Sequence, residues 1–445
     1  MQTSFSLAQL ADPDISEADK ILRACVHCGF CTATCPTYVL LADEDDSPRG
    51  RIYLIKDMLE NAEPARREVV KHVDRCLSCL GCMTTCPSGV HYMHLIDYAR
   101  VHVEKTYRRP IVDRLVRSAL LRVMTDPKLF RRALIAAVLA KPIAPLFDWG
   151  RLKPLAAMLR LAPWRVPRGS AATPGVFPAA AGARRGRVAL LSGCVADVLA
   201  PNINRAAIRV LTRHGFEVVQ ARDEGCCGAL AHHMGRTEKA HAAACRNIRA
   251  WFREIDGEGI DAIVTTASGC GTTMKDYGFM LRHHPRYAAP ARRVAGMSQD
   301  ISEFINKISN LRYVSRPALK VAYHPACSLA HGQRVTTAPK ELLSNAGFML
   351  KDIPESHLCC GSAGTYNMLQ SELAIRLRAR KVANIERVMP ELIAAGNIGC
   401  ITQIAAGTSI PVVHPIELID WATGGPAPKA LKRMGWSDAS GDQSK

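Results

Sequence analysis

Cys25-Val-His-Cys28-Gly-Phe-Cys31-Thr-Ala-Thr-Cys35-Pro36 and Cys76-Leu-Ser-Cys79-Leu-Gly-Cys82-Met-Thr-Thr-Cys86-Pro87 share one spacing, C-x2-C-x2-C-x3-C-P. It is the thiolate spacing that holds a pair of [4Fe–4S] clusters. Three cysteines at two-residue gaps wrap three corners of a cube, and the backbone amides between them can donate to sulfide. The fourth cysteine, stiffened by the proline that follows, points away and serves the other cluster. This assigns Cys25, Cys28, Cys31 and Cys86 to one cluster, and Cys76, Cys79, Cys82 and Cys35 to the second.

Outward from the motifs, the sequence between Cys35 and Cys76 is longer than a minimal two-cluster ferredoxin uses. Its segment Gly50-Arg-Ile-Tyr-Leu-Ile-Lys-Asp-Met-Leu59 has helical periodicity. An α-helical two-cluster ferredoxin domain is therefore expected over 1–105. Exchanged fourth cysteines force two clusters close together, which an electron relay needs and a structural staple does not.

The chain has 445 residues and 17 cysteines. Met1 to Asp19 has neither a basic residue nor an apolar core, so no secretory signal is read there. The apolar run Ala133 to Ala140 in the basic middle segment falls far short of the roughly 20 residues of a membrane-spanning helix. A cytoplasmic chain keeps its thiols reduced, so the cysteines read as metal ligands rather than disulfides. The net charge is +18. Residues 105–168 carry 15 Lys/Arg against Asp113, Asp126 and Asp148, a local excess of +12. Such concentration favours a basic patch facing an anionic partner.

Segment 106–186 lacks cysteine and ends in an Ala/Gly/Pro stretch, Gly169 to Gly186, which reads as a flexible linker. The remainder repeats itself. Cys194, Cys226-Cys227-Gly228 and Cys270 are matched by Cys327, Cys359-Cys360-Gly361 and Cys400, at offsets of 133, 133 and 130 residues. Strands are expected at 187–192 and 319–323, then at 216–221 and 348–353, then before each Gly-Cys pair (261–270 and 393–400). Alternation with helical stretches predicts a duplicated α/β cysteine-rich domain. The expected fold class is therefore multidomain α+β: ferredoxin domain 1–105, basic helical segment and linker 106–186, repeats 187–315 and 316–425, and a tail 426–445. Each repeat offers four thiolates, a set that suits Zn²⁺ or a further iron–sulfur centre. The glycine after each cysteine pair permits close backbone approach. His324, His357 and His414 lie near the second set in sequence and are candidate ligands or proton carriers; the pair His232-His233 has no mirror. Cys245, in the helical run Ala242 to Ile248, reads as a core thiol.

Together these motifs resemble the iron–sulfur subunits of flavin-linked respiratory dehydrogenases. That group includes the iron–sulfur subunits of glycolate oxidase and of anaerobic glycerol-3-phosphate dehydrogenase, and relatives of heterodisulfide reductase. The runs Ile21 to Tyr38, Pro48 to Lys56, Thr266-Ala-Ser-Gly-Cys-Gly271 and Ser356 to Tyr366 are most similar to the glycolate oxidase subunits. The resemblance spans about residues 15–422. It implies FAD-binding partner subunits that oxidise glycolate to glyoxylate, and electrons passed toward a quinone or another membrane acceptor. It also implies a cytoplasmic protein, peripheral on the cytoplasmic face of the inner membrane. The wider group often ends each repeat with C-x-x-C. Here the first of that pair is Ala267 in one half and Asn397 in the other, so zinc, a cubane cluster and an empty site all stay open.

An equivalent subunit of an L-lactate or glycerol-3-phosphate dehydrogenase is the alternative, because substrate chemistry belongs to the flavin subunit. The basic helix Leu129 to Lys141 is expected either to lie on an anionic membrane or to pack against protein. A nucleic-acid-binding protein with structural clusters is the remote alternative: aromatics are 6% of residues and do not interleave with the basic run. No acid–base pair or phosphate loop stands out, so no catalytic residue is assigned and no activity is expected from the chain alone.

Overall fold

The computed structural model describes residues 1–147, 149, 153–167, 174–180, 182, 184–308, 311–315 and 317–438. Much of the expected linker, 168–173, and the end of the tail lie outside the described residues.

Residues 1–147 are helical, with no strand among the described residues. Local chemistry sets where the helices begin. Pro13, Pro36 and Pro48 occupy first turns, where a missing N–H costs nothing. Ser47 caps the helix Pro48–Glu60 by accepting the Gly50 amide at 3.0 Å. Gly50 is obligatory there, since a Cβ would sit 2.0 Å from the Glu44 carbonyl oxygen. Apolar residues at helical spacing then bury one face. Leu22, Ile55, Val73, Leu95, Ile96, Ala99 and Val103 form a fully enclosed core among the helices Pro13–Ala24, Pro48–Glu60, Arg67–Asp74 and Tyr92–Thr106. That core supports the two cysteine loops.

The basic segment forms helices Ile111–Thr125, Pro127–Ala140 and Lys153–Leu161. Its apolar core is small: Phe130, Leu134 and Ala162 pack on Val198 of the first repeat.

The described residues then carry nine short strands: β1 (Gly175–Phe177), β2 (Gly186–Leu190), β3 (Phe216–Gln220), β4 (Ala262–Thr265), β5 (Ser298–Asp300), β6 (Lys320–His324), β7 (Met349–Lys351), β8 (Leu392–Ala395) and β9 (Val412–Val413). The sheets run β1-β3-β2-β4-β5 and β7-β6-β8-β9. Omitting β1, the two orders are the same and every pairing is parallel. Strands such as Val188-Ala-Leu190 and Leu392-Ile-Ala-Ala395 are wholly buried and apolar, as parallel strands covered on both faces must be. β1 corrects the linker reading: part of that stretch is an edge strand, antiparallel to β3. β5 was not foreseen either, whereas β9 falls on the apolar strand expected just before His414. The two lobes share one core, to which Leu190, Ile203 and Leu211 contribute from the first and Leu343, Leu392 and Trp421 from the second. Asp420, 1% exposed, takes ion pairs from Arg209 at 2.5 Å and Arg213 at 3.2 Å across that junction.

Candidate iron–sulfur and cysteine sites

The first cysteine loop needs unusual backbone: His27 has φ +57° and Gly29 φ +87°. Those turns direct Cys25, Cys28 and Cys31 toward one partly open cavity. Cys86, from the other motif, lines the same cavity, and so does Cys82. Five thiols line that cavity, two of them from the distant motif, and the expected four, Cys25, Cys28, Cys31 and Cys86, are among them, the number of donors a [4Fe–4S] cluster takes. Cys28 is exposed and Cys25 buried. Burial pushes the Cys31 thiol up to about 11, so cluster uptake there must release its proton.

Cys76, Cys79 and Cys82 follow the helix Arg67–Asp74 on a loop with Ser78 at φ +49° and Leu80 at φ +63°. Burial raises the Cys79 and Cys82 thiols well above their ordinary range, and the charges of Cys35 and Cys76 beside them act in the same direction. Cys35, from the first motif, is therefore close enough to act on both, at the edge of one largely buried site. Its walls are rich in donors. Ser78 N–H lies 3.5 Å from the Cys76 sulfur, Tyr92 Oη 3.8 Å from it, and Arg51 Nη1 3.8 Å from Cys35 Sγ. Arg51 is only 1% exposed. Its Nε donates to the His72 carbonyl at 2.6 Å and Nη2 to Asp46 at 3.1 Å, while Arg75 holds the other Asp46 oxygen at 2.6 Å. Burial alone would depress the Arg51 pKa, but Cys76, Tyr92, Cys35 and Asp46 together lift it above the ordinary value. The guanidinium thus stays charged beside the thiolates.

This second set abuts the second repeat. Leu77, Cys359, Tyr366, Leu373 and Leu377 form one apolar cluster against which Cys79 and Cys327 pack. Thr84 Oγ1 meets His331 Nδ1 at 2.8 Å, and Arg376 donates to the Leu40 carbonyl at 2.8 Å. Contact with the first repeat is polar instead: Asp97 pairs with His232 at 3.2 Å and His233 at 3.1 Å, and His94 with Asp276 at 2.9 Å.

In each repeat the cysteines follow the C-terminal ends of the strands. Strand order reverses about the first strand of each lobe, β2 or β6, and such a switch point is where open α/β sheets bind ligands. Cys194 and Cys226 sulfurs are 3.7 Å apart, and Cys227 is in hydrogen-bonding reach of Cys226 and Cys270. Hydrogen bonds from Cys194 and Cys227 hold the Cys226 thiol below its ordinary range while theirs are raised. Cys327 and Cys359 stand 3.8 Å apart, and Cys360 bridges Cys359 and Cys400. Gly228 (φ +91°) and Gly361 (φ +88°) each turn the chain under a helix; a Cβ would come within 3.0 Å of Ala240 O and 2.7 Å of Ala374 O. The glycine is there for helix packing as well as turning.

The other candidate residues separate. His324 is buried within reach of Cys360 and Cys400. His414 caps the helix Pro415–Ala422 and bonds to the Thr266 carbonyl at 2.9 Å, His357 is exposed, and His232 and His233 serve the domain interface. Cys245 is only half-buried at the margin of its core. Sequence reading missed Arg51, Tyr92 and Lys381. The one available signal was an arginine on the inner face of the 48–60 helix.

The 4Fe-4S dicluster domain family matches residues 21–90, and the cysteine-rich CCG domain family matches 188–275 and 321–405. The glycolate oxidase iron–sulfur subunit of Escherichia coli (strain K12) is 42% identical over 422 residues, 95% of this chain and 99% of that one. This chain belongs to the glycolate oxidase iron–sulfur subunit family. A probable glycolate oxidase iron–sulfur subunit of Bacillus subtilis (strain 168) is 28% identical, over 91% of this chain and 94% of its own. The crystal structure of a hypothetical protein from Helicobacter pylori has the same overall fold, with a TM-score of 0.54 at 10% identity over 95% of this chain and 74% of that one. As a glycolate oxidase iron–sulfur family member, the chain is an iron–sulfur electron-transfer subunit of an oxidoreductase, as its resemblance implied.

Proposed function

We propose that this chain carries electrons away from a FAD-binding subunit that oxidises glycolate to glyoxylate, and delivers them toward a membrane quinone. When bound, two [4Fe–4S] clusters would accept singly the electrons that a flavin collects in pairs. Cys25, Cys28, Cys31 and Cys86 would hold one, and Cys76, Cys79, Cys82 and Cys35 the other. What supports this reading is that Cys86, with Cys82, lines the cavity of the first motif, and that the charge of Cys35 acts on Cys79 and Cys82, as an exchange of fourth cysteines would require. The working division is 1–105, 106–186, 187–315, 316–425 and 426–445. The other thiolates, Cys194, Cys226, Cys227 and Cys270 and Cys327, Cys359, Cys360 and Cys400, are further candidate metal ligands.

The residues' own contribution is to exclude water around the inner set, aim donors at its sulfurs, and leave the outer set open to a partner. Iron, acid-labile sulfide and EPR on anaerobically purified protein test the reading. The two N-terminal clusters should contribute about eight irons and eight sulfides, with reducible, magnetically interacting signals. Clusters inert to dithionite at every accessible potential overturn it. Glycolate-dependent dye reduction by this chain alone would overturn its silence without the flavin subunit.

Peripheral contact with the cytoplasmic face of the membrane is part of the proposal. No described helix is long and apolar enough to cross a membrane. The basic segment nevertheless exposes Leu115, Leu139, Leu146, Trp149 and Trp164 among its arginines and lysines, the mixture an anionic lipid surface attracts. Co-sedimentation with vesicles containing phosphatidylglycerol, lost in high salt, is expected; equal binding to neutral vesicles speaks against it.

A further inference from the structure

The two repeats align position by position, yet their thiolate pockets differ by one donor. Three residues before Cys194 stands Leu191, buried and apolar; three before Cys327 stands His324. His324 is 1% exposed, and neither Nδ1 nor Nε2 has a hydrogen-bond partner. A buried imidazole with both nitrogens unpaired loses its hydration and gains nothing in return. The environment explains it only if a further atom belongs there. A His324 ring nitrogen and the sulfurs of Cys360 and Cys400 all lie within 4.8 Å of one another. Cys359 is hydrogen-bonded to Cys360, and Cys327 is 3.8 Å from Cys359. Asn397 is otherwise engaged, its Oδ1 accepting the Gly399 amide at 2.8 Å and its Nδ2 donating to Ser268 Oγ at 2.9 Å. Lys381, 2% exposed, donates to the Glu355 carbonyl at 2.8 Å and places its charge near the same thiols.

We infer that His324 is the fifth ligand of an iron–sulfur centre held in the second repeat by Cys327, Cys359, Cys360 and Cys400, whereas the first repeat offers four thiolates alone. Five donors exceed the four of a structural zinc site. The pocket also shares an apolar cluster with Cys79 of the ferredoxin domain, so it adjoins the inner of the two N-terminal sites. An imidazole in place of a fifth thiolate raises a cluster's potential; such a centre, when bound, would suit uptake of one electron from the neighbouring reduced cluster, with no bond made and no proton moved. The inference rests on the electron-transfer reading but fails separately from it, because the N-terminal signals are scored on their own.

The test is pulsed EPR on the full chain, purified anaerobically with and without ¹⁵N-histidine and poised across a range of potentials, with iron, sulfide and zinc measured on each sample. A histidine-nitrogen coupling that changes with the isotope is expected, together with iron beyond the eight of the N-terminal pair. His324→Leu, which copies the first repeat, should lose both while the N-terminal signals persist. His324→Cys should keep the extra iron, lose the nitrogen coupling and shift to lower potential. Absence of any histidine coupling in the wild-type chain, its survival in His324→Leu, or one zinc per chain that leaves with His324→Leu would each overturn the assignment.

Discussion

The two thiolate sets of the N-terminal domain have one spacing and opposite surroundings. The outer set, with Cys28 exposed, opens between Val26 and Phe30, which are 66% and 62% exposed. The inner set is enclosed, with the buried Arg51 guanidinium on one side and the apolar face of the second repeat on the other. Identical local motifs therefore acquire different electrostatics from what packs around them. A fixed cation without water favours the more negative, reduced state, and an open rim lets a partner approach.

Arg51→Met is the largest blow to that contrast. It leaves Asp46 buried with less compensation, and loss of one partner of a buried pair costs about 3–5 kcal/mol. Chemical denaturation of the anaerobically loaded chain should show it, and redox titration should show the inner cluster at a lower potential. An unchanged potential would remove Arg51 from the comparison. Leu77→Ala comes next. It opens a cavity where the inner set meets the second repeat, at a cost of about 2–3 kcal/mol, and hydrogen exchange should rise first in the helix Ser371–Glu386. Protection that falls uniformly through the chain would deny that interface a local role.

The polar contact with the first repeat sharpens the comparison through pH. Burial opposes the charged forms, but the pair with Asp97 raises His232 above its ordinary 6.5, and the two histidines depress Asp97 well below 3.8. Asp276 adds to the rise in His232, and Arg100 opposes it. The His232 contribution is complete below its unfolded pKa and is lost as pH climbs through the raised folded value. The Asp97 contribution is present above about 3.8 and is lost only as pH falls through the depressed value. Docking to the first repeat should thus weaken from pH 6.5 upward, while docking to the second, through Leu77 and Tyr366, should not. Proteolysis of the helix Tyr92–Thr106 at pH 6 and pH 8.5 separates them, and Asp97→Asn should flatten the difference. Phe30→Ala has the smallest effect on stability, within about 0.5 kcal/mol for an exposed side chain. It should still slow reduction of this chain by the flavin subunit several-fold; an unchanged rate would place the entry point elsewhere.

Most of the architecture was legible because it is carried by spacing. The paired C-x2-C-x2-C-x3-C-P runs and the 133-residue offset of Cys194 and Cys327 survive without any tertiary knowledge. The β1 strand was not legible: three residues inside an Ala/Gly/Pro stretch have no periodicity to read, and only pairing with β3 makes them a strand. The same holds for three-residue β5, Ser298–Asp300. Arg51 lies on the inner face of its helix in the sequence, but what balances a cation there depends on Asp46, His72 and the cysteine loops converging on one spot. His324 could be noticed beside Cys327, but its missing partners are a property of the folded pocket.

The core shared by the two lobes sets a timetable for synthesis. Helix Pro201–Arg213 packs against Pro415–Ala422, so that helix leaves the ribosome about two hundred residues before its cover does. At about 5–20 residues per second that is on the order of 10–40 s. Throughout this interval the apolar face of that helix stands without its final shelter. The chain is thus most exposed to aggregation while still half made.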